Sequence, residues 1–280
     1  MNDAMLELRD LCVTYPRSRR TPPVQAVRDV SLTIRRGSTL GLVGESGSGK
    51  TSLGSAILGL TPVSAGSVHL DGVDITHLRG RNRRFLGTRL RAVFQDPYGS
   101  MNPLRRVGDT IGEGLDGSVP SIRAAVVEAL EAVGLPPSAG ERYPRDFSGG
   151  QRQRIAIARA LVVSPSFLVC DEPVSALDLS VQAQILNLLG RLQRERGLTM
   201  LFISHDLAVV RHLSDEIAVM YAGRIVERGT AEAVSTAPEH PYTQLLMAAA
   251  PVPDPEAQAR NRARRAELRA RAVHAAATGA

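Results

Sequence analysis

The chain has 280 residues, 43 % of them hydrophobic, which is enough for one or two domains with a sizeable core. No apolar run approaches the roughly 18 residues of a membrane-spanning helix, and the start of the chain lacks the basic and apolar stretches of a signal peptide, so we expect a cytosolic protein. The net charge of +6 comes mostly from residues 260–271, which carry +5, and the remaining +1 argues against a nucleic-acid-binding protein.

The first third of the chain predicts an antiparallel β layer. Apolar and polar residues alternate over 6–15 and again over 30–34, as in half-buried strands. Over 68–75 the dipeptide Asp71-Gly72 separates two short runs, and Asp-Gly supplies the positive φ values of a tight hairpin. These strands bracket a continuous apolar run at 40–43, which is short enough for a buried parallel strand.

Residues 44–51 form the best-defined motif of the chain. They read Gly-Glu-Ser-Gly-Ser-Gly-Lys-Thr and fit the phosphate-binding pattern G-x-x-x-x-G-K-[ST] between a strand and a predicted helix at 52–60. The glycines allow backbone N–H groups to point at an anion, and the helix N-terminus adds its positive dipole. Lys50, the only lysine in the chain, is placed to bridge the terminal phosphates, and Thr51 to ligate Mg²⁺. The alternative is a glycine-rich strand–helix turn that binds nothing.

Two further predictions concern the core. The helix at 52–60 should present Leu53, Ile57 and Leu60 on one apolar face. Cys12 and Cys170 lie far apart in apolar, strand-like runs without metal or redox spacing. We therefore interpret both cysteines as small core residues.

After residue 91 the sequence changes character. A short strand at 91–94 is followed by Pro-, Gly- and Asn-rich sequence, and we interpret about 96–150 as an inserted helical subdomain. Beyond it strands and helices alternate, which implies a parallel sheet in the core. The elements predicted in this part are helices at 122–133, from Ser148, at 179–196 and past 236, strands at 167–170 and 199–203, and a hairpin at 216–227.

The acidic pair Asp171-Glu172 ends the apolar strand at 167–170. An ATPase needs a second carboxylate to hold Mg²⁺ and a group to orient the attacking water. Asp171 suits the first role, and Glu172 suits the second as general base. The alternative is an acidic pair that only faces solvent.

A family resemblance emerges at Ser148-Gly149-Gly150-Gln151. This stretch resembles the signature sequence of ATP-binding cassette (ABC) ATPases and, as in that family, lies between the phosphate loop and the acidic pair. Gln95 resembles the Q-loop glutamine, residues 175–178 the D-loop, and His205 the switch histidine. Tyr15 resembles the aromatic residue that stacks on adenine. The resemblance covers residues from about 5 to 250.

The resemblance implies an α/β fold, a P-loop NTPase core with an antiparallel β subdomain and an inserted helical subdomain. It implies ATP and Mg²⁺ as cofactors, and two cassettes that close head to tail over two ATP molecules. The site residues it implies are Glu172, His205 and Gln95 for catalysis; Thr51, Gln95 and Asp171 for the metal; Tyr15, Gly44, Glu45, Ser46, Gly47, Ser48, Gly49, Lys50, Thr51 and Ser52 for nucleotide; and Ser148, Gly149, Gly150, Gln151 and Asp178 for nucleotide on the opposite cassette. From the residues alone, His205 is also compatible with an ordinary strand-end histidine, and Tyr15 with core packing.

Three stretches, 94–103, 142–148 and 239–246, resemble the oligopeptide/dipeptide and nickel importers. In that family two different ATPase subunits drive a membrane permease fed by an extracytoplasmic solute-binding protein, and this chain resembles the second subunit. The resemblance implies a peripheral protein on the cytoplasmic face of the membrane, with a second ATPase subunit and the permease as partners and no nucleic acid. The expected divisions are an ABC ATPase domain at 1–235, an importer-type extension at 236–251 and an arginine- and alanine-rich tail at 252–280.

Other functions are weighed beside this one. The same family includes importers of nickel and other small solutes. A soluble cassette ATPase that acts on DNA or ribosomes is disfavoured because only 98 positions separate Lys50 from Ser148, too few for a long coiled coil. A regulator without turnover is disfavoured by the presence of Glu172 and His205. The tail has two interpretations, a solvated disordered end or a segment that docks on anionic lipid.

Overall fold

The computed structural model describes residues 3–16, 22–78, 84–96, 99 and 101–249. The tail predicted at 252–280 lies outside these described residues, as do three residues, 97, 98 and 100, of the stretch 94–103. Among the described residues, no helix is both long and apolar enough to cross a membrane.

Four strands form the predicted antiparallel sheet. These strands are β1 (Ala4–Tyr15), β2 (Val24–Arg35), β4 (Ala65–Leu70) and β5 (Val73–Asp74), in the order β2-β1-β4-β5. Asp71 and Gly72 connect β4 to β5 with φ angles of 51° and 75°, as expected for the two-residue hairpin that the Asp-Gly dipeptide predicts.

A second sheet of six strands carries the core of the protein. Its strands are β3 (Thr39–Val43), β6 (Leu90–Val93), β7 (Phe167–Asp171), β8 (Thr199–Ser204), β9 (Glu216–Tyr221) and β10 (Arg224–Thr230), in the order β10-β9-β3-β8-β7-β6. Every neighbouring pair is parallel except β9 and β10, which form the predicted hairpin.

The helices pack on both sides of this sheet and connect its strands. They are α1 (Lys50–Ile57), α2 (Arg84–Arg89), α3 (Val107–Gly112), α4 (Val119–Ala132), α5 (Gly149–Leu161), α6 (Leu179–Arg196), α7 (Leu207–Leu213), α8 (Ala231–Thr236) and α9 (Pro241–Ala249). Short 3-10 helices at Pro137–Glu141 and Pro144–Asp146 join α4 to α5. The helices between β6 and β7 give the α/β fold its inserted helical part, and the predicted fold class is confirmed.

Alternate residues of the parallel strands face two separate cores. In β7, Leu168 and Cys170 pack with the helices on one side, whereas Phe167 and Val169 pack with the antiparallel sheet and α1 on the other. All four side chains are fully buried. A strand buried on both faces is continuously apolar, and this burial is why 167–170 carries no polar residue.

Two predictions about the core need correction. Leu60 does not share the buried face of Leu53 and Ile57, because α1 ends at Ile57 and Leu60 is 60 % exposed. Gly59, with φ 64°, ends the helix in the left-handed conformation, with its N–H bonded to Ala56 and that of Leu60 bonded to Ser55. This is a Schellman motif, which breaks the helical period.

The cysteine prediction holds for one residue of the two. Cys170 is fully buried in β7, but Cys12 is only half-buried. The Cys12 sulfur accepts a hydrogen bond from the backbone N–H of Asp29 at 3.3 Å. Cys12 therefore also helps to hold β1 against β2.

Candidate functional site

The carboxyl ends of four parallel strands bring the predicted site residues to one edge of the sheet. Val43 lies opposite Ser204, Ile203 opposite Asp171, and Cys170 opposite Val93. The phosphate loop, His205 and Glu172 follow these strand ends directly, and Gln95 follows Val93 by two residues. In open parallel sheets ligands bind in the crevice outside the carboxyl ends, so the topology assembles a site that is scattered in the sequence.

The phosphate loop depends on glycine at two positions for reasons of space. Gly44 and Gly49 have φ angles of 158° and 109°. A Cβ at Gly44 would lie 2.2 Å from the carbonyl oxygen of Met220, and one at Gly49 would lie 2.2 Å from that of Ala26. The backbone of Met220 and Ala26 therefore lies against the loop at these two positions, and only glycine fits at either one.

Lys50 is held inside the loop. It is 5 % exposed, and its Nζ donates hydrogen bonds to the carbonyl oxygens of Gly44 at 2.7 Å and Glu45 at 2.9 Å. Burial lowers its pKa, and the carboxylates of Glu172 and Asp171 oppose that shift. Because a buried charge is costly without a partner of opposite charge, the ammonium of Lys50 favours the binding of a phosphate in the loop.

Ser48 gives an independent indication that the loop fits a phosphate. Its Oγ is buried and has no hydrogen-bond partner within the described part of the chain. Buried hydroxyls are normally paired. A phosphate oxygen in the loop would supply the acceptor that this hydroxyl lacks.

Thr51 and Asp171 bring two oxygen donors together beside the phosphate loop. Thr51 Oγ1 donates to Asp171 Oδ1 at 3.4 Å, across the gap between α1 and β7. Burial raises the pKa of Asp171, while the hydrogen bond from Thr51 lowers it. A hydroxyl and a partly buried carboxylate are the hard oxygen donors that Mg²⁺ prefers, so these two residues fit the ion.

Gln95, the third predicted metal ligand, lies at the same edge of the sheet but is not joined to this pair. It follows β6 by two residues and is exposed. In the described residues no hydrogen bond connects it to Thr51 or Asp171. Its role as ligand and catalytic residue stays a prediction.

Glu172 and His205 meet across adjacent strands. Glu172 Oε2 lies 3.1 Å from His205 Nδ1. The backbone of Glu172 is left-handed, with φ 48°, and its N–H donates to the carbonyl oxygen of Ile203 at 2.9 Å. A non-glycine residue in this region is strained and clusters at functional sites. The turn directs the carboxylate out of the strand and towards His205, whose side chain is 57 % exposed.

Tyr15 is not a core residue. Its side chain is 38 % exposed, and its hydroxyl lies 3.3 Å from Ser52 Oγ and 3.4 Å from Thr61 Oγ1. The contact with Ser52 places the tyrosine beside the start of α1 and the phosphate loop. Core packing therefore does not explain it, and stacking on adenine stays a prediction.

The signature residues cap their own helix. Ser148 Oγ accepts from the N–H of Gln151 at 3.3 Å, and Gln151 Oε1 accepts from the N–H of Ser148 at 3.0 Å. This reciprocal capping box begins α5 and leaves Ser148 and Gln151 exposed. None of these bonds reaches the phosphate loop of the same chain.

Gly150 and Asp178, two further residues predicted to contact nucleotide on another cassette, lie at α6. A Cβ at Gly150 would lie 2.5 Å from Val181 Cγ1, so glycine there permits the close approach of α5 and α6. Asp178 caps α6 by accepting from the N–H of Val181 at 3.0 Å, and this hydrogen bond lowers its pKa. Their predicted contact with nucleotide on another cassette is a property of an assembly and stays a prediction.

One residue at the loop was missed by the sequence reasoning. Tyr242 of α9 accepts a hydrogen bond at 2.9 Å from the backbone N–H of Glu45, through its hydroxyl oxygen. It is 8 % exposed and its ring centroid lies 4.3 Å from that of Tyr221. Tyr242 lies in the stretch 239–246 that resembles the importers, but no local pattern links it to Glu45, which is 197 positions away in the sequence.

Two family profiles match the chain. The first, described as "ABC transporter", matches residues 27–175, which is more than half of the chain. The second, described as "Oligopeptide/dipeptide transporter, C-terminal region", matches residues 226–279. The second match begins before the predicted boundary at 235 and includes the arginine-rich residues 260–271.

Similar proteins agree with these matches. The oligopeptide transport ATP-binding protein OppF of Bacillus subtilis is 46 % identical over 271 residues, 94 % of this chain and 88 % of that protein. OppF of Streptococcus mutans is 46 % identical over 256 residues, 90 % of this chain and 83 % of that protein. A dimeric ATP-binding cassette, solved in a post-hydrolysis state with ADP and Pi, is 27 % identical with a TM-score of 0.73 over 81 % of this chain and 99 % of that chain.

The family match over residues 27–175 agrees with the geometry at the strand ends, where a phosphate loop, an acidic pair and a histidine share one edge of the sheet. The chain belongs to the ABC transporter family and is an ATP-binding cassette ATPase.

Proposed function

We propose that this chain is the subunit that binds and hydrolyses ATP to energise an importer of oligopeptides or dipeptides. The observation that carries the proposal is the pairing of an ABC cassette with a C-terminal region matched by the oligopeptide/dipeptide transporter profile. The names of the similar proteins, which refer to oligopeptide transport, support the same solute class.

In this proposal the phosphate loop and Lys50 bind the phosphates of ATP. The N–H groups of the loop and the start of α1 bind the anion, and the buried ammonium, held by the carbonyl oxygens of Gly44 and Glu45, attracts the phosphate oxygens. Thr51 and Asp171 would hold Mg²⁺, which neutralises charge on the phosphates when bound. Tyr15 lies at the rim of the loop and offers a π face to adenine.

Glu172 acts as general base. Its carboxylate takes a proton from the attacking water; the water oxygen forms a bond to the γ-phosphorus, and the bond to the bridging oxygen breaks to release ADP and phosphate. His205, in contact with Glu172, orients the carboxylate and is exposed enough to reach the γ-phosphate. Ser148 and its neighbours, at the open start of α5, serve ATP held by a second cassette.

The proposed assembly lies at the cytoplasmic face of the membrane, with a second ATPase subunit and permease subunits. A groove of about 280 Å³ between the end of α1, β6 and α5 supports a permease contact next to Gln95. Its walls include Leu60 and Phe94, which are 60 % and 40 % exposed. Arg91, whose buried Nε lacks a hydrogen-bond partner in the described residues, favours an acidic side chain in the docked segment.

Reconstitution tests the proposed function. The chain would be purified with the second ATPase subunit, permease and solute-binding protein of its importer, placed in liposomes and supplied with ATP. Uptake of short peptides that requires ATP and stops with Glu172→Gln would support the proposal. Uptake of nickel without peptide uptake would show that the transported solute is nickel and not peptide. ATP hydrolysis stimulated only by nucleic acid would contradict the proposed transport function.

A crosslinking experiment tests the permease contact. A cysteine placed at Asn102, exposed on the segment after β6, should crosslink to a cytoplasmic permease loop in the reconstituted complex. A cysteine at exposed Glu195 on α6 is the matched control, because it lies outside the helical subdomain at about 96–150. Crosslinks from position 102 to another cassette only would contradict this part of the proposal.

A further inference from the structure

The phosphate loop is bonded on its outer side by the C-terminal helix α9. The peptide unit between Gly44 and Glu45 makes two hydrogen bonds. Its carbonyl oxygen, on Gly44, accepts from Lys50 Nζ at 2.7 Å, and its N–H, on Glu45, donates to the hydroxyl of Tyr242 at 2.9 Å. In a trans peptide the C=O and N–H point in opposite directions. The tyrosine therefore fixes the plane of the peptide whose carbonyl holds the lysine.

Tyr242 is itself held firmly by the C-terminal part of the chain. The carboxylate of Glu227, in β10, accepts from the backbone N–H groups of Glu239 at 2.9 Å and His240 at 3.1 Å. His240 Nδ1 accepts from the N–H of Tyr242 at 3.1 Å. These bonds fix the start of α9, and the ring of Tyr221 packs on that of Tyr242. The hydroxyl thus has little freedom to follow the loop.

We propose that Tyr242 is a positioning residue of the nucleotide site, which sets the orientation of the Gly44–Glu45 peptide and so the placement of Lys50. Through it, the region matched by the oligopeptide/dipeptide C-terminal profile acts directly on the phosphate loop. A change in the position of α9 reaches the lysine through two hydrogen bonds. The proposal rests on the proposed role of the phosphate loop and Lys50 in binding ATP.

The test is a substitution that removes only the hydroxyl oxygen of Tyr242. Tyr242→Phe keeps the stacked ring but leaves the Glu45 N–H without its acceptor. Tyr221→Phe is the matched control, since it removes a hydroxyl from the other ring of the pair, and in the described residues that hydroxyl makes no hydrogen bond. Each purified full-length variant would be measured for ATP affinity by calorimetry, for KM and kcat, for thermal unfolding without nucleotide, and for amide hydrogen exchange over residues 44–49.

The expected result is specific to Tyr242→Phe. Loss of one hydrogen bond should weaken ATP binding and raise KM by about two- to tenfold, with kcat close to that of the parent. Amide exchange over 44–49 should become faster without nucleotide. Tyr221→Phe should match the parent in affinity and exchange.

Two outcomes would overturn the inference, and a third would overturn what it rests on. If Tyr242→Phe lowers only the unfolding temperature, with parental ATP affinity and exchange, the tyrosine merely packs α9. If both phenylalanine variants weaken ATP binding equally, ring packing and not the hydroxyl is responsible. If Lys50→Ala binds ATP as the parent does, the proposed nucleotide site itself is wrong, whatever Tyr242→Phe does.

Discussion

His205 Nδ1 lies 3.1 Å from Glu172 Oε2, although 33 positions separate the two residues in the sequence. The contact exists because β7 and β8 are parallel neighbours in register, so that the residues after Asp171 and Ser204 emerge at the same edge. The backbone bond from the Glu172 N–H to Ile203 fixes the turn that directs the carboxylate. We therefore treat Glu172, the proposed general base, and His205 as one unit in the predictions that follow.

Glu172→Gln should abolish hydrolysis and preserve ATP binding. The amide keeps the shape of the side chain but cannot accept the proton of the attacking water, and loss of a general base costs about 100- to 10,000-fold in rate. Phosphate release and ATP affinity measure the two effects. Glu128→Gln, at a carboxylate 80 % exposed on α4, is the control for the loss of one charge. Parental turnover by Glu172→Gln would contradict the assigned role.

His205→Ala should lower kcat while ATP affinity stays close to that of the parent. The reason is that His205 contacts the base rather than the loop that binds the phosphates. Because residues that act as a unit are not additive, Glu172→Gln with His205→Ala should be little slower than Glu172→Gln alone. Rate losses that multiply in the double variant would show that the two side chains act independently.

Asp171→Asn should stabilise the nucleotide-free protein at neutral pH while it removes a predicted metal ligand. Burial raises the pKa of Asp171 above 3.8 in the folded state, so the folded state binds the proton more tightly than the unfolded chain. Stability is then lost as pH rises through the folded pKa. The advantage of the asparagine variant should be largest at neutral pH and shrink as pH falls towards 3.8.

Thermal unfolding of the parent and Asp171→Asn across this pH range, without nucleotide or metal, checks the sign. Mg²⁺-dependent ATP binding should fall in the variant at every pH. An asparagine variant less stable than the parent at neutral pH would show that the hydrogen bond from Thr51 and the charge of Lys50, which favour the carboxylate, outweigh its burial.

Ser148→Arg should spare ATP binding by the same chain and block the closed dimer. Ser148 caps α5 and makes no contact with its own phosphate loop, and the family resemblance places it on ATP held by the opposite cassette. In a Glu172→Gln background, ATP should drive dimerisation of the parent, measured by size-exclusion chromatography, but not of Ser148→Arg.

Loss of a helix cap costs about 1 kcal/mol by itself, so a second cap serves as control. Ser118 begins α4 by accepting from the N–H of Ser121 at 3.4 Å. Ser118→Arg should lose comparable stability and still dimerise with ATP. A dimer that forms equally well with Ser148→Arg would count against composite sites.

The sequence by itself was sufficient where the determining interactions are local. The bonds of Lys50 within its own loop, the Asp71-Gly72 hairpin and the helix from Ser148 each depend on residues within a few positions, and the structure contains the predicted hairpin and helix start. The continuous apolar run at 167–170 likewise predicted a strand, and the structure buries that strand on both faces.

The tertiary structure decided what depends on register and on distant packing. Parallel pairing of β7 with β8 joins Glu172 to His205, and the close backbone of Ala26 and Met220 shapes the loop around Gly49 and Gly44. The bond from Tyr242 to Glu45 spans 197 positions. No local pattern encodes such contacts, because chain segments far apart in sequence meet only once the sheet order is set.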